Sequence, residues 1–181
     1  FHDEFARRVH SPITNLPKVA RQYLCGPSGS PLVELDVGCS QPLFVAAVAK
    51  KAGFHCPEYQ AECEAGTLYN TILAEIEDDK IKTRDDAKTA MFQYLYRSRS
   101  CDPLPIDQFM EQKYPTFHEF VKMEKSGSPD GNVRLAQKMQ RLESDLVIQG
   151  LCDRVRKFDS TAFVVTIHDS LLVEPVHAVL I

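Results

Sequence analysis

Two aspartates are placed where paired carboxylates could bind divalent metal ions. Asp36 ends a short apolar stretch, and Asp169 lies in the bend between two others. A carboxylate flanked by apolar strands is costly to bury unless a cation or hydrogen bonds compensate its charge. If the strands are neighbours, both carboxylates can meet at one edge of a sheet and bridge two Mg²⁺ ions about 3.5–4 Å apart, as in phosphoryl transfer. The simpler interpretation is that Asp36 caps the following helix and Asp169 forms a turn, and spacing alone favours it.

A second set of residues is spaced as one face of a helix. Arg84, Lys88, Phe92 and Tyr96 recur every four residues, so they form a single stripe. Two cations followed by two aromatic rings suit a ligand that carries a polyphosphate at one end and a planar base at the other. Taken in isolation, the stripe is more typical of a solvated basic patch that runs into two core aromatic residues.

Apolar periodicity and turn residues predict the elements that must position these side chains. A strand is predicted at 32–36, and a tight turn at Gly38 leads from it into a helix over 43–52. Asp169 lies in a predicted hairpin between strands at 162–167 and 171–174. Further helices are predicted at 66–78, at 83–97 with Thr83 as N-cap, at 106–125 with an interruption near 114–115, and at 132–157. The fold class predicted is α+β, helix-rich, with a small antiparallel sheet.

Composition limits the class of protein. The chain has 181 residues, of which 44% are hydrophobic and 25% are charged. These are ordinary values for a globular domain, which excludes disorder, collagen and coiled coil as descriptions of the whole chain. No apolar run approaches the ~20 residues that cross a bilayer. The net charge of −4 argues weakly against a nucleic-acid partner, because the placement of charges matters more than their sum.

The cysteines and the start of the sequence give expectations about the cellular compartment and about the extent of the chain. Six cysteines are scattered without a framework spacing, which predicts free buried thiols and a reducing environment. His55, Cys56 and Cys63 lie close in sequence, but no CxxC pair accompanies them, so zinc is not expected there. The sequence begins at Phe1 without a basic, apolar leader, and we expect a fragment of a longer chain.

Four segments in order resemble the family A DNA polymerases and the related phage-type single-subunit RNA polymerases. The stretch Leu35-Asp36-Val37-Gly38-Cys39-Ser40-Gln41 resembles the palm motif whose Asp holds the catalytic metals. The stripe from Arg84 to Tyr96 matches the fingers-helix pattern at all four positions. Thr166-Ile167-His168-Asp169-Ser170 resembles the palm hairpin, and Gln140 is similar to a palm-helix Gln. More weakly, the stretch from Arg8 to Arg21 resembles the segment upstream of the palm.

This resemblance implies a template-directed nucleotidyltransferase that adds nucleotides to a primer 3′-hydroxyl. Two Mg²⁺ ions, or Mn²⁺, would be bound by Asp36, Asp169 and a backbone carbonyl near Val37. Arg84 and Lys88 would hold the triphosphate, while Phe92 and Tyr96 would lie near its base and sugar. Primer–template contacts are implied for Gln140, for Arg141 on the same basic helix, and for His168.

The resemblance also implies an organisation and a setting. The palm would comprise about 1–65 and 131–181, and the fingers about 66–130, within a single polymerase-like region. The implied partners are a primer–template and a nucleoside triphosphate, with no membrane, together with further polymerase domains or subunits. We expect an intracellular location: the cytoplasm of a bacterium or phage-infected cell, or an organelle.

The sequence departs from the family pattern at two places. Arg97 follows Tyr96 where the family has Gly, and no acidic residue with a role in sugar selection follows Gln41. The DNA polymerase interpretation is favoured over the RNA polymerase one, to which Gly38-Cys39-Ser40 is similar. Because of these departures, two further interpretations stay open: a non-catalytic palm remnant that binds nucleic acid, and an interaction domain with coincidental motifs.

Overall fold

The structure is a computed structural model that describes residues 4–98, 101–127, 130–167 and 169–179. In those residues the strands are β1 (Val33–Asp36), β2 (Val164–Ile167) and β3 (Ser170–Val173). The α-helices there are α1 (Lys18–Arg21), α2 (Ser40–Lys51), α3 (Pro57–Glu64), α4 (Leu68–Glu75), α5 (Arg84–Tyr96), α6 (Pro105–Lys113), α7 (Pro115–Ser126), α8 (Gly131–Ser144), α9 (Asp153–Phe158) and α10 (Pro175–Ala178). A 3₁₀ turn spans Pro12–Asn15, and a π-helical segment spans Asp145–Cys152.

The chain divides into two compact units, each with its own core. Unit 1 comprises residues 1–37 and 140–181, and unit 2 comprises residues 38–139. The assignment of palm and fingers to parts of this chain stays a prediction.

Unit 1 is built on a three-stranded antiparallel sheet in the order β1-β3-β2. Val33 lies opposite Val173, and Asp36 lies opposite Ser170. β3 is buried along its whole length because it is the central strand, and its Leu171 and Val173 pack with Val147 and Cys152. The small antiparallel sheet and the hairpin around Asp169 are therefore confirmed.

Unit 2 is a helical body around an aromatic core. Tyr59 of α3 is fully buried and stacks on Phe117 of α7, with ring centroids 3.7 Å apart. Leu68 and Ile72 give α4 its buried face, as their spacing predicts. Burial of these large side chains is the main favourable term that holds the helices together.

Local signals predict most helix ends correctly. The helix over 83–97 is α5, and the interruption near 114–115 separates α6 from α7 because Pro115 cannot continue the preceding helix. The helix expected at 43–52 begins earlier, at Ser40, and the one expected at 66–78 is the shorter α4.

The structure adds two features that were not predicted and corrects one expectation. Helix α3 was not expected, because its sequence carries no apolar stripe beyond Tyr59 and Cys63. The tight turn expected at Gly38 is present, and within it the neighbouring Cys39 lies in the left-handed region, at φ 56°. Cys25 and Cys101 are free but exposed, so burial of the thiols holds only for part of the set.

Within the described ranges, no helix is both long enough and apolar enough to cross a bilayer.

Candidate functional site

The register of the sheet places the two predicted metal-binding aspartates close together in unit 1. Asp36 pairs with Ser170, whose neighbour in the chain is Asp169. Cα atoms of opposite strand residues lie at most about 5.5 Å apart and those of adjacent residues about 3.8 Å apart, so the two aspartate Cα atoms are within about 9 Å. Asp36 is exposed and Asp169 is half-buried, so neither carboxylate bears the full cost of desolvation.

Another carboxylate on this face is already engaged. Glu34 lies two residues before Asp36 and therefore projects from the same side of β1. Its Oε1 accepts a hydrogen bond from Ser170 Oγ at 3.1 Å and pairs with the Arg21 guanidinium at 3.5 Å. Arg21 is in turn fixed by a hydrogen bond from its Nε to the Leu16 carbonyl. Glu34 thus stabilises the sheet edge beside the two aspartates.

The donor set at this edge fits a hard divalent cation. The groups predicted to bind metal, which are the two carboxylates and the main-chain carbonyl of Val37, are oxygen donors, the type that Mg²⁺ prefers. Among the described residues, no group of three or more His, Cys, Asp or Glu side chains is arranged to hold a metal. A metal here would therefore need water or substrate oxygens to complete its shell, which is usual for Mg²⁺.

The stripe predicted from the four-residue spacing between Arg84 and Tyr96 lies along α5, in unit 2. Arg84 and Lys88 are exposed, while Phe92 and Tyr96 are half-buried. The Phe92 and Tyr96 rings stack at 6.1 Å with an angle of 17° between their planes, and Lys88 Nζ lies 5.8 Å from the Phe92 ring centroid. The arrangement presents cations at the N-terminal end of α5 and parallel rings toward its C-terminal end.

Helix α5 begins at a complete capping box. Thr83 Oγ1 accepts a hydrogen bond from the Asp86 N–H at 3.2 Å, and Asp86 Oδ2 accepts one from the Thr83 N–H at 2.9 Å. The hydrogen bonds from Thr83 and from the Lys82 N–H lower the pKa of Asp86. Because Arg84 is the first residue of α5, this cap fixes the backbone from which its side chain projects.

Arg84 is held by an aromatic platform. Its guanidinium carbon lies 5.1 Å from the centroid of the Tyr69 ring. Tyr69 is 3% exposed and lies beside Cys39, at the start of α2. Burial raises the pKa of the Cys39 thiol, whereas the hydrogen bond from Tyr69 and the charges of Arg84 and Lys88 act in the opposite direction. These four side chains therefore form one electrostatically coupled group within unit 2.

The aromatic end of the stripe is fixed by hydrogen bonds. Tyr96 Oη donates to Gln41 Oε1 at 2.7 Å, and the Tyr96 carbonyl accepts from Asn132 Nδ2 at 3.0 Å. Arg97, which stands where the polymerases that this segment resembles have Gly, ends α5 in extended conformation and binds Asp107 at 2.6 Å. This position therefore does not need the conformational freedom of glycine here.

Two of the predicted primer–template residues, Gln140 and Arg141, lie in unit 1. Gln140 is half-buried, and His168 lies outside the described residues. Arg141 donates hydrogen bonds from Nε and Nη2 to the carbonyls of Phe5 and Glu4, at 2.9 and 3.0 Å. Arg141 thus anchors the N-terminal segment to the helix, a role that its basic character alone did not predict.

A second contact ties the same segment down. Arg8 forms a salt bridge with Glu143, whose side chain is only 1% exposed. Removing one partner of such a pair leaves a buried charge uncompensated, which is strongly destabilising.

Sequence reasoning missed two residues that the structure places at the α5 stripe. Gln41 was noted only as the end of the palm-like motif, and Tyr69 was not singled out. A four-residue spacing shows which residues share a face but not which residues of other helices meet that face. The only available signal was that Tyr69 is an aromatic residue on the apolar side of a predicted amphipathic helix.

The comparisons with known proteins add no relative. No family model, no curated protein and no solved structure matches this chain.

Proposed function

We propose that this chain is a template-directed nucleotidyltransferase that extends a primer 3′-hydroxyl, with a DNA polymerase favoured over an RNA polymerase. The observation that carries the proposal is the register of β1 and β3, which sets Asp36 opposite the neighbour of Asp169. Residues far apart in the sequence are thereby brought to one strand edge, as a shared cation site requires.

The α5 stripe supports the nucleotide half of the proposal. Arg84 and Lys88 are exposed cations that bind phosphate oxygens through charge-assisted hydrogen bonds. The Phe92 and Tyr96 rings offer planar surfaces for a base, and Gln41 Oε1 accepts the hydrogen bond that holds the Tyr96 hydroxyl in one orientation. A fixed ring loses little conformational entropy on binding, which favours a defined pocket.

Asp36, Asp169 and the Val37 carbonyl would hold Mg²⁺. Bound there, the ion would supply charge neutralisation for an in-line phosphoryl transfer. The exposed Asp36 and half-buried Asp169 keep their carboxylates within reach of such a ligand.

Primer extension by the full chain tests the proposal. The assay uses a labelled primer–template with Mg²⁺ and separate pools of dNTPs and NTPs, and compares the wild type with Asp36→Asn. We expect Asp36→Asn to lower extension by orders of magnitude while the urea-unfolding midpoint shifts little, because Asp36 is exposed and Asn has nearly the same size and shape as Asp.

A matched control is Asp153→Asn, which changes an exposed aspartate of the same unit outside the proposed site. It should extend primers like the wild type. Full activity of Asp36→Asn would reject the proposed chemistry. Primer–template binding without extension by the wild type would instead favour the non-catalytic remnant.

A further inference from the structure

Arg84 is an exposed cation at the start of α5. It takes part in no salt bridge among the described residues, although Asp85 and Asp86 follow it directly in the chain. Asp86 is committed to the N-cap of α5. An unrestrained arginine side chain loses rotamer entropy when a ligand binds it in one geometry.

The Tyr69 ring, in place of a carboxylate side chain, restrains the Arg84 side chain. The guanidinium carbon is 5.1 Å from the ring centroid, within the range of a cation–π interaction. A cation–π contact places no hydrogen-bond acceptor on the guanidinium, so the N–H groups of Arg84 stay available to a ligand. A carboxylate partner would instead accept hydrogen bonds from these donors and neutralise the positive charge of the guanidinium.

The platform is itself rigid. Tyr69 is 3% exposed in α4, and α4 packs along α5. Its hydroxyl lies by the Cys39 thiol, and burial is the largest effect that raises the pKa of both groups. Ring and hydroxyl are therefore both fixed, so the ring cannot follow Arg84 if the arginine moves away.

From these contacts we propose that Tyr69 is a positioning residue, which holds the Arg84 guanidinium with its N–H edge presented to a triphosphate. The inference rests on the proposed function, since it concerns the phosphate-binding end of the same site. It assigns to Tyr69 an effect on triphosphate affinity that acts through Arg84 and not by direct contact.

Calorimetric titration of the full chain with inorganic triphosphate tests this coupling. The variants are Tyr69→Phe, Tyr69→Leu, Arg84→Ala and the double variant Tyr69→Leu/Arg84→Ala, with Lys51→Ala as a control at an exposed cation of the same unit. Tyr69→Leu should weaken binding about fivefold, equivalent to about 1 kcal/mol, while Tyr69→Phe keeps the ring and stays within about twofold of the wild type. In the Arg84→Ala background, Tyr69→Leu should have no further effect, and Lys51→Ala should bind like the wild type.

The outcomes separate this inference from the proposed function. If Arg84→Ala binds triphosphate as tightly as the wild type, the proposed phosphate site is wrong and the inference falls with it. If Arg84→Ala weakens binding but Tyr69→Leu weakens it equally in both backgrounds, Tyr69 acts structurally and only the inference is overturned.

A measurement on the unmodified chain covers the case in which Tyr69→Leu does not fold. In NMR spectra of protein with labelled arginine, assigned by comparison with Arg84→Ala, the Arg84 side-chain protons should show the upfield shift of a group above an aromatic ring. Added inorganic triphosphate should perturb the Arg84 Nε–H signal while that upfield shift persists. Loss of the upfield shift on binding would mean that Arg84 leaves the ring, and would overturn the proposal.

Discussion

At the scale of single residues, hydrogen bonding sets how much a charge contributes to stability. Asp159 Oδ1 accepts hydrogen bonds from the hydroxyl and N–H of Thr161, and Oδ2 faces His177 Nε2 at 2.9 Å. These contacts, Thr161 first and His177 second, lower the pKa of Asp159 to about 2. His177 is 7% exposed, and it also interacts electrostatically with Glu174. The pair joins the end of α9 to α10 within unit 1.

A pH dependence follows from this lowered pKa. A group whose pKa is lower in the folded state stabilises the fold above its unfolded pKa, here 3.8, and loses that effect as the pH falls toward about 2. Asp159→Asn should therefore lower the urea-unfolding midpoint at pH 5 to 6, and its deficit should vanish as the pH approaches about 2. The exposed Asp153→Asn should follow the wild-type curve throughout. A deficit of Asp159→Asn that is constant with pH would show that the carboxylate charge is not responsible.

At the scale of elements, α5 combines a start that can be predicted from its own sequence with contacts that depend on other helices. The Thr83–Asp86 capping box can be predicted from the sequence because both partners lie within one helical turn. The contacts that give the helix its chemistry, Tyr69 with Arg84 and Gln41 with Tyr96, involve other helices and have no local signature. The stripe could thus be predicted, and its partners could not.

Removal of the cap is a direct test at this scale. Thr83→Ala should reduce the free energy of unfolding by about 1 kcal/mol, because the Asp86 N–H loses its acceptor. It should also weaken triphosphate binding, because Arg84 is the first helical residue after Thr83. Thr89→Ala is the matched control, since Thr89 is exposed in the same helix and its change should alter stability by less than about 0.5 kcal/mol. Urea unfolding and calorimetry of both variants measure the two effects, and equal behaviour of the variants would contradict a role of the cap.

The sheet also shows that local sequence patterns predict elements but not how distant elements pair. Alternation of apolar and polar residues predicts the strands and the hairpin around Asp169, but the place of β1 beside β3 depends on pairing across almost the whole chain. The π-helical segment at Asp145–Cys152 was also beyond prediction, because its apolar positions are equally typical of an α-helix.

At the scale of the whole molecule, the chain has two cores formed by different parts of the sequence. The core of unit 1 joins β3 to the π-helical segment, whereas that of unit 2 joins α2 through α8. Length and composition are averages over the whole chain, so they do not reveal that residues 38–139 form a compact unit of their own. The proposed cation site belongs to unit 1 and the α5 stripe to unit 2, so each can be altered separately.

Separate cores predict separate responses to core truncation. Leu171 is 1% exposed in unit 1 and Leu68 is fully buried in unit 2, and replacing either with Ala should cost about 2–5 kcal/mol through lost contacts and a cavity. Hydrogen exchange followed by mass spectrometry should then show faster exchange chiefly in peptides from 4–37 and 140–179 for Leu171→Ala, and chiefly in peptides from 38–139 for Leu68→Ala. Each variant is the control for the other, because both remove a buried leucine side chain of the same size. Equal acceleration of both units by either variant would mean that they unfold as one cooperative body, and that a change in the stability of one unit also alters the site carried by the other.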